Sequence, residues 1–277
     1  MKEVVNKIRT IRFQLLLFPL VFLFGCNLEE NTTVKLPNYE SQLVVECYLE
    51  PGFKVQLLLT ESSGYFAEPK LPLVNDAVVT ITYLGIVDTL KYSSLTYLSD
   101  FKYYNYVSSR TVPIDYENEF ELNIEDGKGR KVTSKTYLIP PPTIDSLSIN
   151  FNNSSKANLI AHFVHNPDEK DYYRILFHKD SVNNIIQNIT FSDEFSNNEK
   201  IVIGTRYDYI EGDEAFVTLY KLNKDYYDFL QSIDAARSSN GNPFSQPSLI
   251  KSNVVGGIGI FTGLSFDFKN RVIERKE

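Results

Sequence analysis

The chain has 277 residues, with 35 acidic against 28 basic side chains, a formal net charge of −7 and 43% hydrophobic residues. That surplus of carboxylates opposes binding to nucleic-acid phosphates or to anionic lipid headgroups, so nucleic acid is excluded as a partner. Two cysteines and three histidines leave little material for a disulfide framework or a zinc centre.

Lys2, Lys7, Arg9 and Arg12 precede an apolar run from Phe13 to Phe24 that is broken only by Gln14 and Pro19. About 12 residues are too few to cross a hydrocarbon core of roughly 30 Å as a permanent helix, and they suit the apolar region of a secretory signal peptide. The run closes on Leu23-Phe24-Gly25-Cys26, which resembles a bacterial lipobox, although Phe24 is bulkier than the usual occupant of its position. Residues 1–25 are therefore expected to be removed and Cys26 to be lipidated, its acyl chains holding the protein to the membrane. Residues 1–25 carry four basic side chains and one acid, so their loss takes the net charge from −7 to −10 over 252 residues. Residues 26–35 read as a polar tether, with Glu29 and Glu30 three and four residues beyond the cysteine.

Short segments rich in Val, Ile, Leu, Thr and Tyr follow at 42–49, 53–60, 77–84, 87–92, 118–124 and 130–138, separated by turn signals such as Pro51-Gly52 and Asp126-Gly127. Alternation in 77–83 places Val79, Ile81 and Tyr83 on one face. Cys47 lies in an apolar run, as a buried inert thiol would. Tyr103, Tyr104 and Tyr106 cluster in 99–111, which reads as a long loop and the best candidate contact surface. Pro140, Pro141 and Pro142 remove three backbone donors, so 140–143 reads as a stiff joint. Strand patterns resume at 144–151, 157–164, 172–179, 185–191, 199–203 and 214–221. Asn223 can cap a helix at about 224–237, whose positions Tyr226, Tyr227, Leu230 and Ile233 keep helical spacing. Asn240-Gly241 and Pro243 stop it, and Leu264–Phe268 reads as the closing strand. The expected fold is mainly β: two immunoglobulin-like or fibronectin-like sandwiches, 36–139 and 144–277, the second with one inserted helix.

No catalytic constellation emerges, and no cofactor or metal is implied. His162 and His165, three residues apart on a strand, point to opposite faces. Acid pairs such as Asp168/Glu169 and Asp193/Glu194 sit in polar stretches that read as solvated. Gly256-Gly257-Ile258-Gly259 lacks the Lys-Ser/Thr ending of a phosphate loop and suits close backbone packing.

The order of Leu43–Gly52, Ala77–Ile81, Tyr137–Leu147, Asn242–Pro247 and Ser252–Phe261 resembles the Bacteroidota lipoproteins grouped as domain of unknown function 4249. Cys47 stands where Gly is expected in that family. The resemblance implies an outer-membrane location and a gene setting beside a TonB-dependent receptor, and supplies no reaction. Glu29 and Glu30 resemble the acidic signal that sends such lipoproteins to the cell surface. The expectation is a non-enzymatic accessory of such a receptor, with a surface glycan hydrolase or peptidase and an adhesin-like module as alternatives.

Overall fold

The computed structural model describes residues 40–64, 71–97, 103–194, 196, 199–239 and 248–275. The leader, Cys26, Glu29 and Glu30 lie outside these, as do Asn240–Pro247.

Strict alternation builds the first strands. β1 (Leu43–Leu49) buries Leu43, Val45, Cys47 and Leu49 and turns the intervening residues outward. After it come β2 (Lys54–Glu61), β3 (Val78–Tyr83), β4 (Ile86–Tyr97), β5 (Tyr103–Thr111), β6 (Phe120–Glu125) and β7 (Lys131–Thr136). With β15 (Ile258–Gly263) they form one eight-stranded sheet in the order β15-β1-β2-β5-β4-β3-β6-β7. Its two edges approach each other: Thr133 of β7 and Val255 exchange backbone hydrogen bonds of 3.0 and 2.9 Å. Val79 and Ile81 join Val45, Leu57, Leu122 and Phe261 in the enclosed core, with Tyr83 packed against it. Cys47 lies there too, and burial pushes its thiol pKa far up, so it is not a thiolate nucleophile.

The remaining strands are β8 (Ile144–Phe151), β9 (Lys156–Val164), β10 (Tyr172–Lys179), β11 (Ile185–Ser192), β12 (Lys200–Gly204), β13 (Tyr209–Ile210), β14 (Glu214–Leu222) and β16 (Ser265–Val272). One sheet runs β11-β10-β14-β16; in the other, β9 pairs with β8 along one edge and with β12 and β13 along the other. Leu159, Phe163, Ile175, Phe177, Val217 and Leu219 fill the space between them. The fold is thus mainly β with packed sheets, as the strand patterns implied.

Helix α1 (Lys224–Ser239) lies outside both cores. Tyr226 and Phe229 pack with Tyr172, Leu176, Tyr220 and Leu222 from the outer face of β10 and β14, and also with Ile260 of β15. Tyr48 of β1 meets Tyr226 edge-on at 5.7 Å between ring centroids. The amide of Asn223, expected to cap the helix, is turned toward the first sheet and donates to the Tyr137 carbonyl at 3.0 Å.

The expected division into 36–139 and 144–277 does not describe the strand partners. β15, inside the expected second sandwich, is the parallel neighbour of β1. The chain therefore returns to the first sheet after α1, then leaves again in β16, and the described residues from Glu40 onward form one compact unit.

Side chains and missing side chains both make this return possible. Gly259 has φ +137°, and a Cβ there would stand 1.8 Å from the Val45 carbonyl oxygen. Gly256 has φ +84°, and its Cβ would meet the Lys131 oxygen at 2.1 Å. Only glycine fits at either place. Asn253 then acts as a strand partner: its Oδ1 accepts from Phe261 N at 3.0 Å and its Nδ2 donates to Phe261 O at 2.8 Å. The glycine cluster is a packing device, as its apolar context suggested.

Candidate functional site

The two ends of the eight-stranded sheet differ in chemistry. At one end Arg130, in the β6–β7 turn, binds Glu61 and Asp126 at 2.6 Å each and donates to the Ser41 carbonyl at 3.1 Å. Lys128 adds a second 2.6 Å contact to Glu61. Donors from Lys128 and Arg130 hold the Glu61 carboxyl down at about 2.

The opposite end is an apolar mouth. A cavity of about 240 Å³ opens there, lined by Val55, Ile81, Phe120 and Val112 below and by Tyr83, Ile86, Asp88, Arg110, Thr111 and Pro113 toward the rim. Strand pairing explains the convergence: Tyr83 faces Ile86 across the β3–β4 turn and Phe120 across β6, while Lys54 at the start of β2 faces Thr111 at the end of β5. The Tyr83 ring stacks on Phe120 at 4.6 Å and donates its hydroxyl hydrogen bond to Asp115. Asp115 also accepts from Glu117 N at 2.8 Å and Asn118 Nδ2 at 2.8 Å, and these donors, Tyr83 foremost, lower its pKa to about 2. Asp88 accepts from the Ser108 and Ser109 hydroxyls. Arg110 is exposed, and its guanidinium makes no ion pair among the described residues.

The loops carrying the lining residues expose large apolar side chains: Phe53 is 62% exposed, Leu84 63% and Ile114 72%. Leu84 moreover holds φ +49° in the two-residue β3–β4 turn, where a bulky side chain is disfavoured.

The tyrosine cluster is not a loop surface. Residues 103–111 are β5, and Tyr106 is buried, its hydroxyl oxygen accepting from Ala77 N at 3.2 Å. Tyr104 is half-buried, and only Tyr103 of the three is exposed. The strand forms because the buried Asn105 amide replaces ladder bonds, accepting from Leu59 N at 2.8 Å and donating to Leu59 O at 2.9 Å.

Asp193 is likewise not a solvated acid. It is buried against His165, with Oδ2 2.9 Å from Nδ1, and its other oxygen accepts from Asp171 N at 2.8 Å. His162, on the other face, bonds Ser148 Oγ at 2.7 Å. Among the described residues no cluster of three or more His, Cys, Asp or Glu side chains could hold a metal ion. A second concavity, an open trough of about 740 Å³, lies between β11 and β12 and is lined by Ile186, Gln187, Asn188, Gly204, Thr205, Arg206 and Asp208. Its lining holds one carboxylate, whereas glycoside hydrolysis uses a facing pair.

Sequence reasoning missed the mouth. Its signal was the apolar residues at turn positions, Phe53 after Pro51-Gly52 and Leu84 before Gly85.

A family model described as Domain of unknown function (DUF4249) matches residues 29–269. The chain belongs to that family. The Ser252–Phe261 motif that carried the resemblance is the seam by which β15 joins β1 and β7. No curated protein matches the chain. Among solved structures, the FN1–FN3 domains of chicken CNTN1 are similar at a TM-score of 0.30 and 11% identity, over 65% of this chain and 57% of that one. Two crystal forms of a cytokine receptor complex are similar at a TM-score of 0.27, with 11% and 10% identity. They cover 66% and 64% of this chain, and 86% and 90% of theirs. Among the described residues no helix is long and apolar enough to cross a membrane.

Proposed function

We propose that this DUF4249 member is a non-enzymatic lipoprotein, anchored through Cys26 on the surface of the outer membrane, that captures a ligand beside a TonB-dependent receptor. The observation that carries the binding role is the mouth: an apolar cavity whose surrounding loops hold Phe53, Leu84 and Ile114 in water. Burying such side chains against a partner or ligand recovers about 25 cal/mol per Å² of apolar surface, which isolated exposure forgoes. The leader, the lipobox-like Leu23–Cys26 and the Glu29/Glu30 pair support the location.

Co-purification from detergent-solubilised outer membrane tests the partnership. A TonB-dependent receptor barrel is expected with the native chain and is expected to be lost when Phe53→Ser and Ile114→Ser are combined. No barrel with the native chain removes the accessory role. For the anchor, Cys26→Ala should abolish labelling by a fatty-acid probe, and undiminished labelling would refute it. Glu29→Ala with Glu30→Ala should leave labelling intact and abolish access of external protease in intact cells; equal digestion would reduce these acids to solvation of the tether.

A further inference from the structure

We propose that the mouth takes a small organic anion, with an apolar body inside the cavity and a single carboxylate held by Arg110. This rests on reading the mouth as a ligand site and adds the chemistry that selects the ligand.

Size comes first. A cavity of about 240 Å³ lies just below the range of roughly 300–1,000 Å³ usual for small-molecule sites, and so suits a small body such as one ring with a short side chain. The floor of Val55, Ile81, Val112 and Phe120 offers water no hydrogen bond, which favours an apolar occupant. Phe120 and the stacked Tyr83 ring form an aromatic wall suited to a planar body.

Charge comes second. Two acids stand near the rim, and both are already supplied with donors: Asp88 by Ser108 and Ser109, Asp115 by Tyr83, Glu117 N and Asn118. The cation of the rim is not so supplied. Arg110 makes no ion pair among the described residues, in a chain with net charge −7 that offers many carboxylates. Arg130 at the other end shows the contrast, with two carboxylates on one guanidinium. A guanidinium presents a planar fork of donors matched to a carboxylate, and one left open beside an apolar cavity is placed for the head of an amphiphilic acid.

Three probes of one shape test this: 3-phenylpropionate, 3-phenylpropanol and 3-phenylpropylamine, each titrated calorimetrically into the detergent-solubilised full chain. The acid should bind with Kd on the order of 0.1 mM, about tenfold tighter than the alcohol, and the amine weakest. Arg110→Gln, at an exposed position, should bring the acid to the level of the alcohol, and Arg110→Lys should recover part of the preference. Ile86→Trp, which narrows the mouth from its exposed rim, should weaken all three. Equal binding of acid and alcohol, or tightest binding of the amine, overturns the anion assignment while leaving a ligand site. No binding of any probe to folded protein overturns both readings. Unchanged acid binding in Arg110→Gln or Ile86→Trp overturns the location.

Discussion

Arg130 and Arg110 sit at opposite ends of one sheet in opposite surroundings. Arg130 is enclosed by Glu61, Asp126 and the Ser41 carbonyl, tying the start of β1, the end of β2 and the β6–β7 turn into one knot. Arg110 stands open over an apolar cavity. One end spends its charges on holding strands together; the other leaves a charge and several large apolar side chains facing water. A fold gains no stability from the second arrangement, and so it is the place to look for binding.

The largest test of this contrast lies at the seam beside the closed end. Gly259→Ala would force a Cβ to within 1.8 Å of the Val45 carbonyl oxygen at φ +137°. We expect a loss of about 3–5 kcal/mol in denaturant unfolding, or no folded protein. A loss below about 1 kcal/mol would show that β15 is not held against β1 as described. Because this seam joins both halves, limited proteolysis near 140–143 should nick the chain without releasing two independent fragments.

Arg130→Ala comes next. It would strip Asp126, whose side chain is only 1% exposed, of its cation and leave Glu61 with the Lys128 ammonium and the Ser41 hydroxyl. A cost of about 2 kcal/mol is expected, against less than about 0.5 kcal/mol for the exposed Arg110→Ala. Equal costs would erase the distinction between the ends.

The strands themselves were legible because burial alternates along them, as in β1 and β7, and a period of two is visible locally. Their partners were not. β15 pairs with β1 from over 200 residues away, and only the glycines at 256, 257 and 259 hinted that backbones meet there. β5 was hidden for a different reason: Asn105 disfavours strands, yet its amide bonds the backbone N–H and carbonyl of Leu59 and the carbonyl of Val74, 46 and 31 residues away in sequence, in place of ladder hydrogen bonds. Asp193 looked solvated because its partner His165 lies 28 residues upstream. The mouth was equally hidden, since its lining comes from β2, β3, β4, β5 and β6 and becomes a cavity only once these are paired.

Acid sharpens the comparison further. Glu61 has its pKa lowered from 4.5 to about 2 by Lys128 and Arg130, so its unfolded form binds a proton more readily than its folded form. Its contribution is then fully present above about pH 4.5 and is lost as pH falls from there through about 2. Native protein should lose stability over that window, and Arg130→Ala should lose less of it, since part of the depression is already gone. Parallel losses in both proteins would mean that other carboxylates set the acid limit.

The smallest expected effect is a gain. Leu84 and Gly85 form the two-residue turn between β3 and β4, with φ +49° and +76°. Such turns favour Asn-Gly, because Asn tolerates the left-handed region and a branched apolar side chain does not. Leu84 is also 63% exposed, so its side chain recovers little by burial. Leu84→Asn should therefore stabilise the protein by about 0.5–1 kcal/mol in denaturant unfolding. The same substitution removes an apolar group from the rim, so, if the proposed receptor partnership holds, co-purification should weaken while folding improves. Opposite movement of stability and binding is the mark of a residue kept for contact. If Leu84→Asn instead lowers stability, the side chain is packing within the fold, and the open end loses one of its supports.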